Sequence, residues 1–220
     1  MSKENWLIFC DFDGTVARRD VGYHMYHEFS GGRNDALLPD WKSGKLSTRD
    51  CLRKEAEMVT VESDQFFQFM DQFQLDDGFA EFQSRCEQAG LKLTIISDGL
   101  DIYIRYLFDK SGLKCPDLIC NQGKLVDSHL EIVFPYDDPN DTGGGVCKGE
   151  RIAEFRSRAE GSVKVLFVGD GLSDASAASE VDLLFAKKDL KVYCEEKKLS
   201  YVVWDDFFDV TKQMEALAIL

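Results

Sequence analysis

The chain is short of basic side chains. Its 220 residues carry 26 Lys and Arg against 40 Asp and Glu, giving a formal net charge of −14 and a sequence pI near 4.6. A nucleic-acid partner held by a basic surface is thereby excluded, because counterion release needs Lys and Arg on the phosphates. Long apolar runs are also missing. Trp6 to Cys10 stops at Asp11 after five residues, far too short for a signal-peptide core or a membrane span. The seven cysteines, at 10, 51, 86, 115, 120, 147 and 194, form no C-x-x-C pair and are odd in number. Reduced thiols in a cytoplasmic protein are expected. Cys115, Cys120 and His129 have the wrong spacing for zinc and no evident fourth ligand, and His24, His27 and Glu28 read as a polar helix face rather than a second metal site.

What is present is ordinary for a globular chain: 44% hydrophobic residues, with 16 Phe, 7 Tyr and 3 Trp. Three short apolar runs end abruptly in polar residues: Trp6–Cys10 before Asp11, Leu93–Ile96 before Ser97-Asp98-Gly99, and Val165–Val168 before Gly169-Asp170-Gly171. Such runs read as strands buried on both faces, hence a parallel sheet. Asp182–Ala186 and Tyr201–Trp204 are further strand candidates, and helical stretches are expected over Gly78–Ala89, Leu100–Lys110, Lys148–Ala159, Ser173–Ser179, Leu190–Lys197 and Asp205–Leu217. The alternation is that of an α/β doubly wound domain. From about Val16 to Asp76 the pattern breaks into helices, with Phe66, Phe67, Phe69, Met70 and Phe73 as an aromatic stripe for core packing. We therefore expect a core formed by 1–15 and 77–220, and a helical segment, 16–76, inserted after the first strand as a lid over the strand ends. Cys115 to Cys147 reads as a short hairpin followed by a turn-rich loop from Pro135 to Gly145.

The chemistry concentrates where strands end. Asp11-Phe12-Asp13-Gly14-Thr15 puts two carboxylates at i and i+2 before a glycine that lets the chain turn, and Gly169-Asp170-Gly171-Leu172-Ser173-Asp174 repeats the theme on another strand. In a doubly wound sheet these ends converge, and four clustered carboxylates repel unless a cation sits among them. Hard oxygen ligands select Mg²⁺. Ser97 can offer its hydroxyl and neighbouring N–H groups, including that of Asp98, to a phosphate oxygen, and the Lys148 ammonium can neutralise charge on a transferring group. The glycines before Lys148 do not form an ATP-binding loop, because G-x-x-x-x-G-K-[ST] requires Gly at 147 and Ser or Thr at 149, where this chain has Cys147 and Gly149.

Asp11-x-Asp13-Gly14-Thr15, Ser97, Lys148 and Asp170-x-x-x-Asp174, in this order and at these element ends, resemble the four motifs of the haloacid dehalogenase superfamily. The resemblance covers nearly the whole chain. It implies a Rossmann-like parallel-sheet core with a helical cap inserted after the first strand, and a phosphatase acting through an aspartyl-phosphate. Carried over by position, it makes Asp11 the nucleophile and Asp13 the general acid and base. Mg²⁺ would be held by Asp11, Asp170 and the carbonyl of Asp13, with Asp174 as ligand or supporting partner, and Ser97, Asp98 and Lys148 would hold the phosphate.

Gly44-Lys45-Leu46, Leu52-Arg53-Lys54 and Ser97-Asp98-Gly99 are similar to the phosphoserine phosphatase-like branch. In that register Glu55 stands where the branch has a carboxylate-binding arginine, Lys42 and Thr48 fall on apolar contacts, and Asp20 replaces a glutamate that meets the substrate amine. Phosphoserine is demoted, unless a register shift brings Arg53 in. Cys147-Lys148, Asp182–Lys187 and Trp204–Phe208 look like the methionine-salvage phosphatases of 2-hydroxy-3-keto-5-methylthiopentenyl-1-phosphate. Asp20 and Glu55 keep phosphocholine or phosphoethanolamine open as a further substrate, and a phospho-aspartate signalling switch is the rival of another class. The implied partner in the enzyme readings is a small phosphate monoester, with no membrane and no nucleic acid; the resemblance leaves oligomeric state undefined.

Overall fold

In the computed structural model, which describes residues 5–136 and 145–220, strand β1 (Asn5–Cys10) is central. Its side chains alternate: Trp6, Ile8 and Cys10 enter one core and Leu7 and Phe9 the other. Burial on both faces explains why the run shows no polar alternation. A broken turn, Phe12–Val16, leads into α1 (Val21–Ser30), α2 (Leu38–Lys42), α3 (Thr48–Glu57) and α4 (Ser63–Met70). The chain returns through α5 (Phe79–Gln88), β2 (Lys92–Leu100), α6 (Asp101–Ser111) and the strands β3 (Asp117–Val126) and β4 (His129–Val133). It continues through α7 (Lys148–Arg158), β5 (Val163–Gly169), α8 (Ala175–Ala178), β6 (Leu183–Ala186), α9 (Lys188–Lys197), β7 (Val202–Val203) and α10 (Phe207–Ala216).

The seven strands form one sheet in the order β4-β3-β2-β1-β5-β6-β7. All neighbours are parallel except the β3–β4 hairpin at one edge. The expected hairpin is thus present and extends the sheet, whereas most of the turn-rich stretch, 137–144, lies outside the described residues. Phe79, Phe82, Phe108 and Phe207 cover one face through α5, α6 and α10, with Trp204 from the connection before α10, and Ile152, Ala177, Leu190 and Cys194 cover the other through α7, α8 and α9. Burying each large apolar side chain contributes about 1.5–3 kcal/mol.

One sequence expectation needs correcting. β2 does not stop at Ile96 but runs to Leu100, where pairing resumes with Asn121 after an irregularity, so Leu100 precedes the helix instead of opening it. The two ends of the helical segment meet at a neck. Ala17 and Leu75 form an antiparallel bridge, Arg18 N–H donates to the Gln74 carbonyl at 3.1 Å, and Asp76 N–H donates to Val16 at 2.8 Å. A second attachment lies at the hairpin, where Val61 N–H donates to Ser128 O at 2.8 Å and Thr60 bridges His129. Phe66, Met70 and Phe73 of the aromatic stripe are buried, as core packing requires.

Candidate active site

Because β1 and β5 are adjacent and parallel, their carboxyl ends bring Asp11 and Asp170 together. The Asp11 N–H donates to Val168 O at 2.9 Å, which continues the strand by one residue. Gly14 then turns the chain at φ +75°, and a Cβ there would lie 2.3 Å from Asp170 Oδ2. Only glycine meets both demands.

Lys148, at the start of α7, is 1% exposed, and its Nζ donates to Asp11 Oδ1 at 2.6 Å and to Asp174 Oδ1 at 2.5 Å. Burial opposes the charge on Lys148, but Asp11 and Asp174 outweigh it and raise the pKa, so the ammonium keeps its proton. Asp174 Oδ2 accepts from the N–H groups of Asp170 at 2.9 Å and Gly171 at 3.0 Å, which fixes the carboxylate that aims Lys148. Asp170 accepts from the Thr15 hydroxyl at 3.1 Å and from Lys188 Nζ at 2.8 Å.

One carboxylate oxygen from each of Asp11, Asp170 and Asp174 lies within 4.8 Å of the other two. Burial raises the Asp11 pKa, Lys148 counters it, and Asp174 and Asp170 raise it further. Buried carboxylates that disfavour one another's charge, and that offer only hard oxygen, suit Mg²⁺. These three side chains could hold it.

Asp13 sits at the amino end of α1. Its Oδ1 accepts from Val21 N–H at 2.8 Å and Gly22 N–H at 3.0 Å, and its Oδ2 accepts from the Tyr103 hydroxyl at 2.7 Å. Burial, with Asp20 adding to it, pushes this carboxyl up to about 7 in spite of those hydrogen bonds. With Oδ1 committed to two N–H donors, the proton is left to Oδ2.

Ser97 is buried, and its Oγ accepts from the Gly99 N–H at 3.0 Å. The Asp98 carboxylate accepts from Val146 N–H at 2.9 Å, so it ties the end of β2 to the segment that delivers Lys148. A cavity of about 530 Å³ opens over these groups, and Asp20, Lys42, Thr48 and Glu55 all line it. Asp20 caps α1 by accepting from Tyr23 N–H at 2.7 Å. Thr48 accepts from Trp41 Nε1 at 3.1 Å, Lys42 is exposed at this wall, and Glu55 is buried.

Arg53, the register-shift candidate, is not among the lining residues. It is exposed, pairs with Asp50 at 3.2 Å and packs over the Phe134 ring. His24 contacts Arg19 and His27 pairs with Asp35, which leaves them as surface polar residues, while Cys10 is wholly buried in β1. Sequence reasoning missed Tyr103 and Lys188. Nothing local marks Tyr103, whereas Lys188 belongs to a Lys-Lys pair just beyond β6 that a strand-end search could have taken in.

The haloacid dehalogenase-like hydrolase family matches residues 8–179, and the chain belongs to it. Its relatives include the 2-hydroxy-3-keto-5-methylthiopentenyl-1-phosphate phosphatase of Geobacillus thermodenitrificans, 27% identical over 99% of each chain. Pdp3-interacting factor 1 of Schizosaccharomyces pombe is 28% identical over 98% of this chain and 97% of its own. Among solved structures, phosphoserine phosphatase in a phospho-aspartyl intermediate analogue superposes with a TM-score of 0.74 at 19% identity, over 97% of this chain and 99% of that one.

Proposed function

We propose that this hydrolase cleaves a small phosphate monoester through an aspartyl-phosphate on Asp11. The observation that carries the reading is the pairing, at one strand end, of a lysine-held carboxylate with a second carboxyl whose pKa lies near 7. The Asp11 carboxylate attacks phosphorus, the ester P–O bond breaks, and Asp13 Oδ2 delivers its proton to the departing alkoxide. Asp13, now ionised, takes a proton from the water that attacks the aspartyl-phosphate. Phosphate leaves and Asp11 is restored. Lys148, the Ser97 hydroxyl and the N–H groups around Asp98 hold the phosphoryl oxygens. Mg²⁺, held by Asp11, Asp170 and the Asp13 carbonyl with Asp174 beside it, would supply charge neutralisation for the phosphoryl group. The helical segment 16–76 acts as the cap that selects the alcohol, over a core of 1–15 and 77–220. A cytoplasmic setting suits the seven free cysteines.

The methionine-salvage enol phosphate is our first substrate, supported by relatives that match over full length and by Leu38, Trp41 and Leu52 on the cavity wall. Asp20 and Glu55 on the same wall favour a second reading, phosphoethanolamine or phosphocholine, and disfavour phosphoserine, whose carboxylate they repel. The test is phosphate release from these four esters and p-nitrophenyl phosphate, with Mg²⁺ and with EDTA. One strongly preferred, EDTA-sensitive ester supports the reading. Inactivity on all, with a phosphate that persists on Asp11, would replace it with a phospho-aspartate switch.

A further inference from the structure

Two polar groups on the cavity wall have no part in the chemistry at phosphorus. Glu55, on α3, is 6% exposed and lines the cavity. Among the described residues its carboxylate accepts from Asn34 Nδ2 at 3.3 Å, and no ion pair reaches it. Tyr26, on α1, is 3% exposed and lines the same cavity; among the described residues its hydroxyl is buried without a hydrogen-bond partner. A buried hydroxyl left unpaired is costly, and one that lines a cavity is placed to regain a partner from whatever the cavity binds. The two share this wall because α1 and α3 pack against each other beside the cavity. The other titratable groups facing Glu55 are Cys51, one turn earlier on α3, and Asp20 at the amino end of α1. The cations that line this cavity, Lys42 and Lys188, are both exposed, and Lys188 is paired with Asp170 at 2.8 Å.

Resting on the monoesterase reading above, we propose that Glu55 and Tyr26 form a subsite for a polar group on the substrate's alcohol, one that takes a proton donor, a hydroxyl such as the enol phosphate's 2-hydroxyl or an ammonium, and refuses a carboxylate. A hydroxyl donates to Glu55 and accepts from Tyr26. An ammonium donates to both oxygens. A carboxylate meets one donor, the Tyr26 O–H, and adds a negative charge beside Glu55 and Asp20, so its exclusion is built in. The two donors differ in what they require of Glu55. An ammonium needs the ionised form, whereas a hydroxyl is served by either form. Burial pushes the Glu55 carboxyl up to about 7, with Asp20 adding to the rise against the Asn34 hydrogen bond, so the difference falls in an accessible pH range.

The experiment measures kcat/KM of the full chain with Mg²⁺ on 2-hydroxyethyl phosphate, 2-aminoethyl phosphate, propyl phosphate and phosphoglycolate, each from pH 6 to 8, for wild type, Tyr26→Phe and Glu55→Gln. Results are read as ratios to propyl phosphate, which cancels the common titration of Asp13 and any uniform loss from misfolding. At least one donor-bearing ester should exceed propyl phosphate by about tenfold, with phosphoglycolate below it, and each substitution should cut that preference by about threefold or more. If the ammonium is the donor, its ratio rises through about pH 7 in wild type and is flat in Glu55→Gln; if the hydroxyl is, the ratio is flat in both. A wild type that does not discriminate, or variants with wild-type ratios, would overturn the subsite and leave the phosphatase standing. Failure to hydrolyse these four esters, p-nitrophenyl phosphate and the enol phosphate alike would overturn the hydrolytic reading and the subsite with it.

Discussion

Burial raises the Asp13 pKa, and three donors from two elements hold the rise back, the N–H groups of Val21 and Gly22 and the hydroxyl of Tyr103. The Tyr103 donor favours the ionised carboxylate, so Tyr103→Phe should raise the Asp13 pKa further. The pH–rate limb that belongs to Asp13 then moves upward, by up to about one unit; a limb that stays in place would show that Tyr103 does not act through Asp13. Asp11→Asn removes the proposed nucleophile and should lower kcat to background, checked by loss of both phosphate release and protein-bound phosphate. The acidic residues and Lys148 were legible because each sits within a few positions of a strand end or helix start, where a short pattern carries its meaning. Tyr103 was not, since it reaches Asp13 across 90 positions and, in sequence, is one more aromatic on an amphipathic helix. Tyr26 was hidden for the same reason, as a buried aromatic whose hydroxyl matters only once the cavity exists.

At the scale of elements, the turn Phe12–Val16 joins the strand that ends at Asp11 to α1. Gly14→Ala would place a Cβ against the Asp170 carboxylate at a positive φ. The cost is about 1–3 kcal/mol, so melting temperature should fall. Mg²⁺ affinity, read by calorimetry, should weaken as Asp170 is displaced; a variant with unchanged melting and metal binding would refute that account. The end of β2 was misread because Ser97-Asp98-Gly99 has the composition of a turn. In the folded chain the Asp98 carboxylate is spent on Val146 and its carbonyl accepts from Asn121 Nδ2 at 2.7 Å, so the stretch stays extended until Leu100. Those partners lie far along the chain, out of reach of a local pattern. The parallel core was legible because a short, continuous apolar run bounded by polar residues fits a strand covered on both faces and little else, whereas β4 declared itself only through short alternation.

Across the whole molecule, a surplus of acid meets a site that buries it. The folded pKa of Glu55, about 7, stands above its ordinary 4.5. Its contribution to stability is therefore full below about pH 4.5 and is lost as pH rises through about 7, an effect of at most about 3 kcal/mol. Glu55→Gln should flatten the decline of metal-free melting temperature across that window, and an unchanged slope would contradict it. Mg²⁺ binding to the folded state should raise the melting temperature, by the equivalent of about 2.7 kcal/mol at a hundred times its Kd, and Asp170→Asn should remove most of the rise.

The neck has a historical consequence. Because Val16, Ala17 and Arg18 are hydrogen-bonded or bridged to Gln74, Leu75 and Asp76, the ends of the inserted segment are neighbours. A stretch whose two ends meet can be lengthened, shortened or rewritten by mutation without moving the register of a single core strand. If this segment selects the alcohol, as proposed above, descent can trade one alcohol for another while the catalytic floor is inherited intact.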